Sequence, residues 1–137
     1  MSRRCYLSTM DLYRLELACR PLHKLIGDAI GGVYLVGSTW TTAAYRDVDV
    51  RMILEDPRFD ALFPEPDQWS VFCYAVSRWL AADTGLPVDF QVQRMTEANE
   101  RFGDKPRNPL GHGHRSFAGL GDATPYLVQP KPGGEQQ

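Results

Sequence analysis

Asp47 and Asp49 stand two positions apart in the run Asp47-Val48-Asp49-Val50-Arg51-Met52-Ile53-Leu54, which is rich in strand-forming residues. Side chains in a strand alternate between faces, so the two carboxylates share one face while Val48 and Val50 point into the core. Paired carboxylates suit a hard divalent cation such as magnesium, which prefers oxygen ligands. A third acid, Asp89, lies in Pro87-Val88-Asp89-Phe90-Gln91-Val92-Gln93, where Val88, Phe90 and Val92 alternate with the polar positions. If the two strands are neighbours, the three carboxylates gather over one face of a sheet. Such a trio can hold two magnesium ions about 3.5–4 Å apart, the arrangement used for in-line displacement at phosphorus. Upstream, Gly37-Ser38 follows the strand-like Val33-Tyr34-Leu35-Val36. A tight Gly-Ser turn offers backbone N–H groups and a hydroxyl to a phosphate. Metal and phosphate sites together point to nucleotide chemistry.

Other side chains near these motifs have two readings each. Arg51 shares the face of Asp49; it either neutralises the acids or grips a substrate phosphate through both prongs of its guanidinium. Trp40, close after the turn, is placed to stack on a base or to pack. Gln91 and Gln93 share a face with Asp89 and read as solvent-facing. Residues 94–117 carry Arg94, Arg101, Lys105, Arg107 and Arg115. That cluster is either a solvated face or a contact for a triphosphate or an RNA backbone. His112 and His114 flank Gly113; two histidines so spaced can ligate zinc, but no further ligand stands near in sequence, and an exposed glycine-rich loop is the plainer reading.

Periodicity gives the helices and strands on which these groups sit. Residues 9–30 read as helical, with Leu12, Leu15, Ala18, Leu22, Leu25, Ile26 and Ala29 along one stripe and Ser8 with Asp11 as an N-terminal cap. Pro21 implies a kink or a second helix beginning there, and Gly31-Gly32 closes the run. Strands are expected at Val33–Val36, Val48–Leu54 and from Pro87 onward. Residues 55–68 are rich in proline and acid and read as a loop with one helical turn at Phe59–Phe63. A helix over 67–83, capped by Asp67, buries Phe72, Ala75, Val76, Trp79 and Leu80, with Trp69 and Trp79 both in the core. It ends at Thr84-Gly85 and crosses between the second and third strands. A short helix is expected at Thr96–Arg101.

At 137 residues, 43% of them hydrophobic and 23% charged, the chain has the size and composition of a single soluble domain. We expect that domain over residues 1–120, with a flexible Pro/Gly-rich tail over 121–137. The net charge of −2 provides no global positive field for collecting nucleic acid, so any such contact is local. No apolar run approaches the ~20 residues that span a bilayer, and the basic N-terminus lacks the apolar core of a signal peptide. Three cysteines without metal-ligand spacing imply reduced thiols and a cytoplasmic setting.

The ordered set of Gly37-Ser38, then Asp47 and Asp49, then Asp89 resembles the DNA polymerase β-type nucleotidyltransferase superfamily, as a small stand-alone member. That family carries a Gly-Ser turn after its first strand, an acid pair on the second strand and an acid on a later one. The likeness covers residues 10–95. Two features depart from it: the turn and the acid pair are closely spaced, and Thr39-Trp40 stands where many members have Arg-Gly. The resemblance implies an α+β fold, a small mixed β-sheet with helices packed on one side. It implies magnesium, with manganese as a substitute, held by Asp47, Asp49 and Asp89. It implies substrate contacts at Gly37 and Ser38, with Asp89 nearest the acceptor; Thr39, Trp40 and Arg51 beside them are added as candidate substrate contacts from the residues themselves. The expected reaction moves a nucleoside monophosphate from a nucleoside triphosphate such as ATP to an acceptor hydroxyl on a protein, an RNA end or a small molecule. The alternative is a catalytically inactive binding or regulatory protein on the same fold. A nuclease using the same acids ranks last, because no acid-x-Lys follows and Gly37-Ser38 would then have no role.

Overall fold

The computed structural model describes residues 5–26 and 31–111. Strand β1 (Gly31–Val36) runs antiparallel to β2 (Val48–Leu54), and β3 (Val88–Arg94) lies parallel to β2. A two-residue β4 (Asn108–Pro109), absent from the sequence-based expectation, pairs antiparallel with β1. The sheet order is β3-β2-β1-β4. The fold is therefore α+β with a mixed sheet. Parallel pairing of consecutive strands requires a crossover, and helices α3 (Asp56–Leu62) and α4 (Pro66–Thr84) supply it.

Alternation makes the sheet two-faced. Val33, Leu35, Val48, Val50, Met52, Leu54, Val88, Phe90 and Val92 are buried on one face. Leu15 and Ala18 of α1 (Thr9–Ala18), Leu22 of α2 (Arg20–Ile26), and Val76 and Leu80 of α4 join the same cluster. Burying each large side chain of this set contributes about 1.5–3 kcal/mol, which fixes the face that turns inward. The other face carries Asp49, Arg51, Asp89, Gln91 and Gln93. Ile53 shares that second face and is also buried; it lines a cavity there with Ala98 of helix α5 (Met95–Phe102).

Strand β3 is a sheet edge, and α4 closes it with side chains spaced one helical turn apart. The Ser77 hydroxyl accepts from the Phe90 N–H at 2.8 Å and donates to the Phe90 carbonyl at 3.2 Å. The Trp69 indole N–H donates to the Val92 carbonyl at 2.8 Å, and the Cys73 sulfur accepts from the Val92 N–H at 3.4 Å. The outward backbone groups of Phe90 and Val92 are thus satisfied, and the edge is shielded from pairing with another strand. Ser77→Ala is expected to strip Phe90 of both partners and cost about 1–3 kcal/mol. Urea denaturation should show a lower midpoint at an unchanged slope.

This second duty of α4 explains a misplaced stripe. Cys73, Val76, Leu80 and Thr84 are buried, with Trp69 and Phe72 partly so, while Ala75 is exposed and Trp79 is 40% exposed. The buried stripe is turned toward the β3 edge relative to the one expected. Helix boundaries also differ. Pro21 lies in the first turn of α2, so the helical run is two helices and not one kinked helix. Leu25, expected in the buried stripe, is instead 68% exposed. Gly31 and Gly32 begin β1 instead of ending a helix. The expected loop at 55–68 contains α3, and α4 starts at Pro66 with Glu65, not Asp67, as its cap; Glu65 and Gln68 form a reciprocal capping box. Pro57 and Pro66 occupy first-turn positions, where a missing N–H costs nothing, so both initiate helices. Gly85, in the left-handed region, ends α4 as expected. Cys5, Cys19 and Cys73 are free thiols. No helix among the described residues is long and apolar enough to cross a membrane. The expected tail at 121–137, and His112, His114 and Arg115, lie outside the described residues.

Candidate metal centre

Strand register brings the acids together. Asp49 is directly opposite Asp89 in the β2–β3 ladder, and Asp47 immediately precedes β2. One carboxylate oxygen from each of Asp47, Asp49 and Asp89 lies within 4.8 Å of the others. Asp47 is exposed; Asp49 and Asp89 are half-buried. The donors are all carboxylate oxygens, with no thiolate or imidazole. That set fits a hard dication such as magnesium or manganese and leaves coordination positions open for water and phosphate.

The glycine-serine turn is built against the acid pair. Residues Gly37–Trp40 form a single 3-10 turn directly after β1. Gly37 has φ +83, and a Cβ at that position would collide with the Asp49 carboxylate. The Ser38 backbone N–H donates to the Asp49 carboxylate, while the Ser38 carbonyl accepts from the N–H groups of Thr41 and Thr42, each at 3.0 Å. Turn and acid therefore form one unit, and the Ser38 N–H is engaged within it. Ser38 and Trp40 line a cleft on the acid face. The Trp40 indole N–H donates to the Leu35 carbonyl at 3.1 Å, which holds the ring in place at the cleft wall. Thr39 is fully buried and lines neither of the cavities described below; its carbonyl accepts from the Tyr6 N–H at 2.7 Å.

Arg51 reaches across the acids. Its Nη2 lies 3.4 Å from Asp89 Oδ2 and 3.6 Å from Asp49 Oδ1. Burial pushes the Asp49 carboxyl above the usual aspartate range; Arg51 opposes that rise, the Asp89 and Asp47 charges add to it, and the Ser38 N–H counters it.

Two cavities meet at this cluster. The larger, about 780 Å³, takes in Asp49, Arg51 and Gln91 on the sheet, Trp40 on the turn, and Arg101 and Phe102 on α5. Lys105 and Arg107, from the chain after α5, complete its basic rim. Arg107 is tied down by the Ala98 carbonyl at 3.1 Å and Asn99 Oδ1 at 3.0 Å, and Arg101 pairs with Glu97 at 3.3 Å. The smaller cavity, about 480 Å³, opens at the β3 edge and contains Asp47 and Asp89 with Trp69, Ser70, Tyr74 and Ser77 of α4. Of the basic segment weighed in the sequence, Arg101, Lys105 and Arg107 thus stand at the larger cleft, whereas Arg94 pairs with Asp60 and stacks on Phe59. Phe102, Ser70 and Tyr74 were not singled out in the sequence. No local pattern marks them, because each wall exists only once its helix docks on the sheet. The chain matches no protein-family model, no curated protein and no solved structure.

Proposed function

We propose that this chain transfers a nucleoside monophosphate from a nucleoside triphosphate to an acceptor hydroxyl in a magnesium-dependent reaction. The observation that carries this reading is the meeting of three carboxylates from β2, its leading residue and β3, with Asp49 lining a basic-rimmed cleft and Asp47 and Asp89 the cavity beside it. Asp47, Asp49 and Asp89 would hold the metal, which supplies charge neutralisation at the phosphates and at the attacking and leaving oxygens. Arg101 and Lys105 offset the charge of the outer phosphates. Trp40 and Phe102 provide apolar surface for the nucleoside. The acceptor enters from the smaller cavity, where Asp89 receives the proton of its hydroxyl. The acceptor oxygen bonds to the α-phosphorus as the bond to the β-bridging oxygen breaks, and pyrophosphate departs through the larger cleft.

The test is equilibrium binding of each nucleoside triphosphate to the full chain with and without magnesium, followed by pyrophosphate release with candidate acceptors. Saturable, magnesium-dependent binding of at least one nucleotide and pyrophosphate release are expected. Absence of any such binding sinks the reading. One observation favours the inactive alternative: the Ser38 N–H is given to Asp49, which weakens the phosphate grip of the turn. Under that alternative nucleotide binds and no acceptor elicits pyrophosphate.

A further inference from the structure

Arg51 stands where the proposed metal ions would have to work. Its side chain is 14% exposed. Nη1 donates to the Asp89 carbonyl at 2.7 Å and to the Val50 carbonyl at 3.0 Å. These two bonds do not involve the carboxylates, so they anchor the guanidinium even when another cation takes the carboxylates. Only Nη2 faces the Asp89 and Asp49 carboxylates, at 3.4 and 3.6 Å. Arg51 also lines the larger cleft, beside Ser38 and Gln91.

The charge balance of this arrangement is specific. Three ionised aspartates and one guanidinium leave a formal charge of about −2. One dication balances it. A second dication leaves an excess positive charge in a half-buried place, next to an arginine that is pinned and always protonated. A triphosphate, which brings about four negative charges, removes that excess. Resting on the nucleotidyl-transfer reading, we infer that Arg51 makes the site selective for a metal–triphosphate complex over bare metal ions. It excludes the second ion until phosphate arrives, and its Nη2 then passes from the carboxylates to the phosphate. Arg51 is a positioning residue with respect to the metal and a direct contact of the nucleotide.

The experiment measures manganese binding by electron paramagnetic resonance and nucleotide binding by calorimetry on the full chain. Without nucleotide, the native chain is expected to take up about one ion, and two in complex with a non-hydrolysable triphosphate. Arg51→Gln should bind manganese alone about ten- to a hundredfold more tightly than the native chain and the nucleotide about tenfold more weakly. Arg51→Lys, which keeps the charge, should stay near the native affinity for the bare ion. Two ions bound equally well to the native chain without nucleotide would overturn the inference, and this measurement needs no variant to fold. Equal manganese affinity in a folded Arg51→Gln would overturn it as well. If native and variant chains both fail to bind manganese even with nucleotide, the metal-centre reading itself fails. If the native chain loads metal with nucleotide and Arg51→Gln gains nothing for the bare ion, only the role of Arg51 is lost.

Discussion

Asp49→Asn is expected to lower magnesium-dependent pyrophosphate release about a thousandfold or more while leaving the chain folded and no less stable at neutral pH. The substitution keeps the shape of the side chain, and the amide oxygen still accepts from the Ser38 N–H. What it removes is the charge that a dication needs. The stability half of the prediction follows from the raised pKa of Asp49, whose largest cause is burial. The folded chain holds this proton more tightly than the unfolded chain. Stability therefore falls as pH rises from the ordinary aspartate range through the raised value, and the loss persists above it. Asparagine never carries that charge. At neutral pH the variant should melt at or above the native temperature, and the difference should close as pH drops below the ordinary aspartate range. Metal binding to the native chain should weaken on acidification through the same raised value, because the ion requires the carboxylate. Thermal melts over a pH series, run beside the pyrophosphate assay, check both halves. Retained activity, or a variant that is less stable at neutral pH with no pH dependence, contradicts the assignment of Asp49.

Gly37→Ala should damage stability and site together. Gly37 has φ +83, and its missing Cβ is the space that the Asp49 carboxylate occupies. An alanine there incurs the cost of the left-handed backbone, about 1–3 kcal/mol, and also drives Asp49 off its position. Activity should fall about a hundredfold, since a displacement of about 1 Å at the reacting groups has that effect. Gly85 provides the control. It has φ +76, but a Cβ there meets nothing within 4 Å. Gly85→Ala should lose about 1 kcal/mol and keep its activity. Urea denaturation and manganese binding, compared between the two variants, separate backbone strain from the collision. Equal metal affinity in both would show that the packing of Gly37 against Asp49 has no bearing on the site.

Some of this architecture was legible residue by residue. Val48, Val50, Val88, Phe90 and Val92 announce the buried face, and they leave Asp49 and Asp89 on the other. Other elements were not legible. Proline and acid at 55–68 suggested a loop, yet Pro57 and Pro66 begin helices, because the first turn is where proline fits without loss. Trp79 looked like core and is exposed, because α4 serves the β3 edge as well as the apolar face. Arg51 had two readings in the sequence, and the positions of its two nitrogens show that it touches carbonyls and carboxylates together.

The order of residues sets which side chains share a face, since alternation along a strand is local and needs no partner. It also determined that Gly37-Ser38 is a turn at the end of a strand. The placement of β3 beside β2 with Asp89 opposite Asp49, a pairing of segments forty residues apart, arises through long-range packing. A slip of one residue would send Asp89 into the core and Phe90 into water, so burial of the apolar face selects the register, and that burial exists only in the assembled fold. The two cavities and the basic rim belong to the same level, because each is bounded by elements that meet only after α4 and α5 have docked on the sheet.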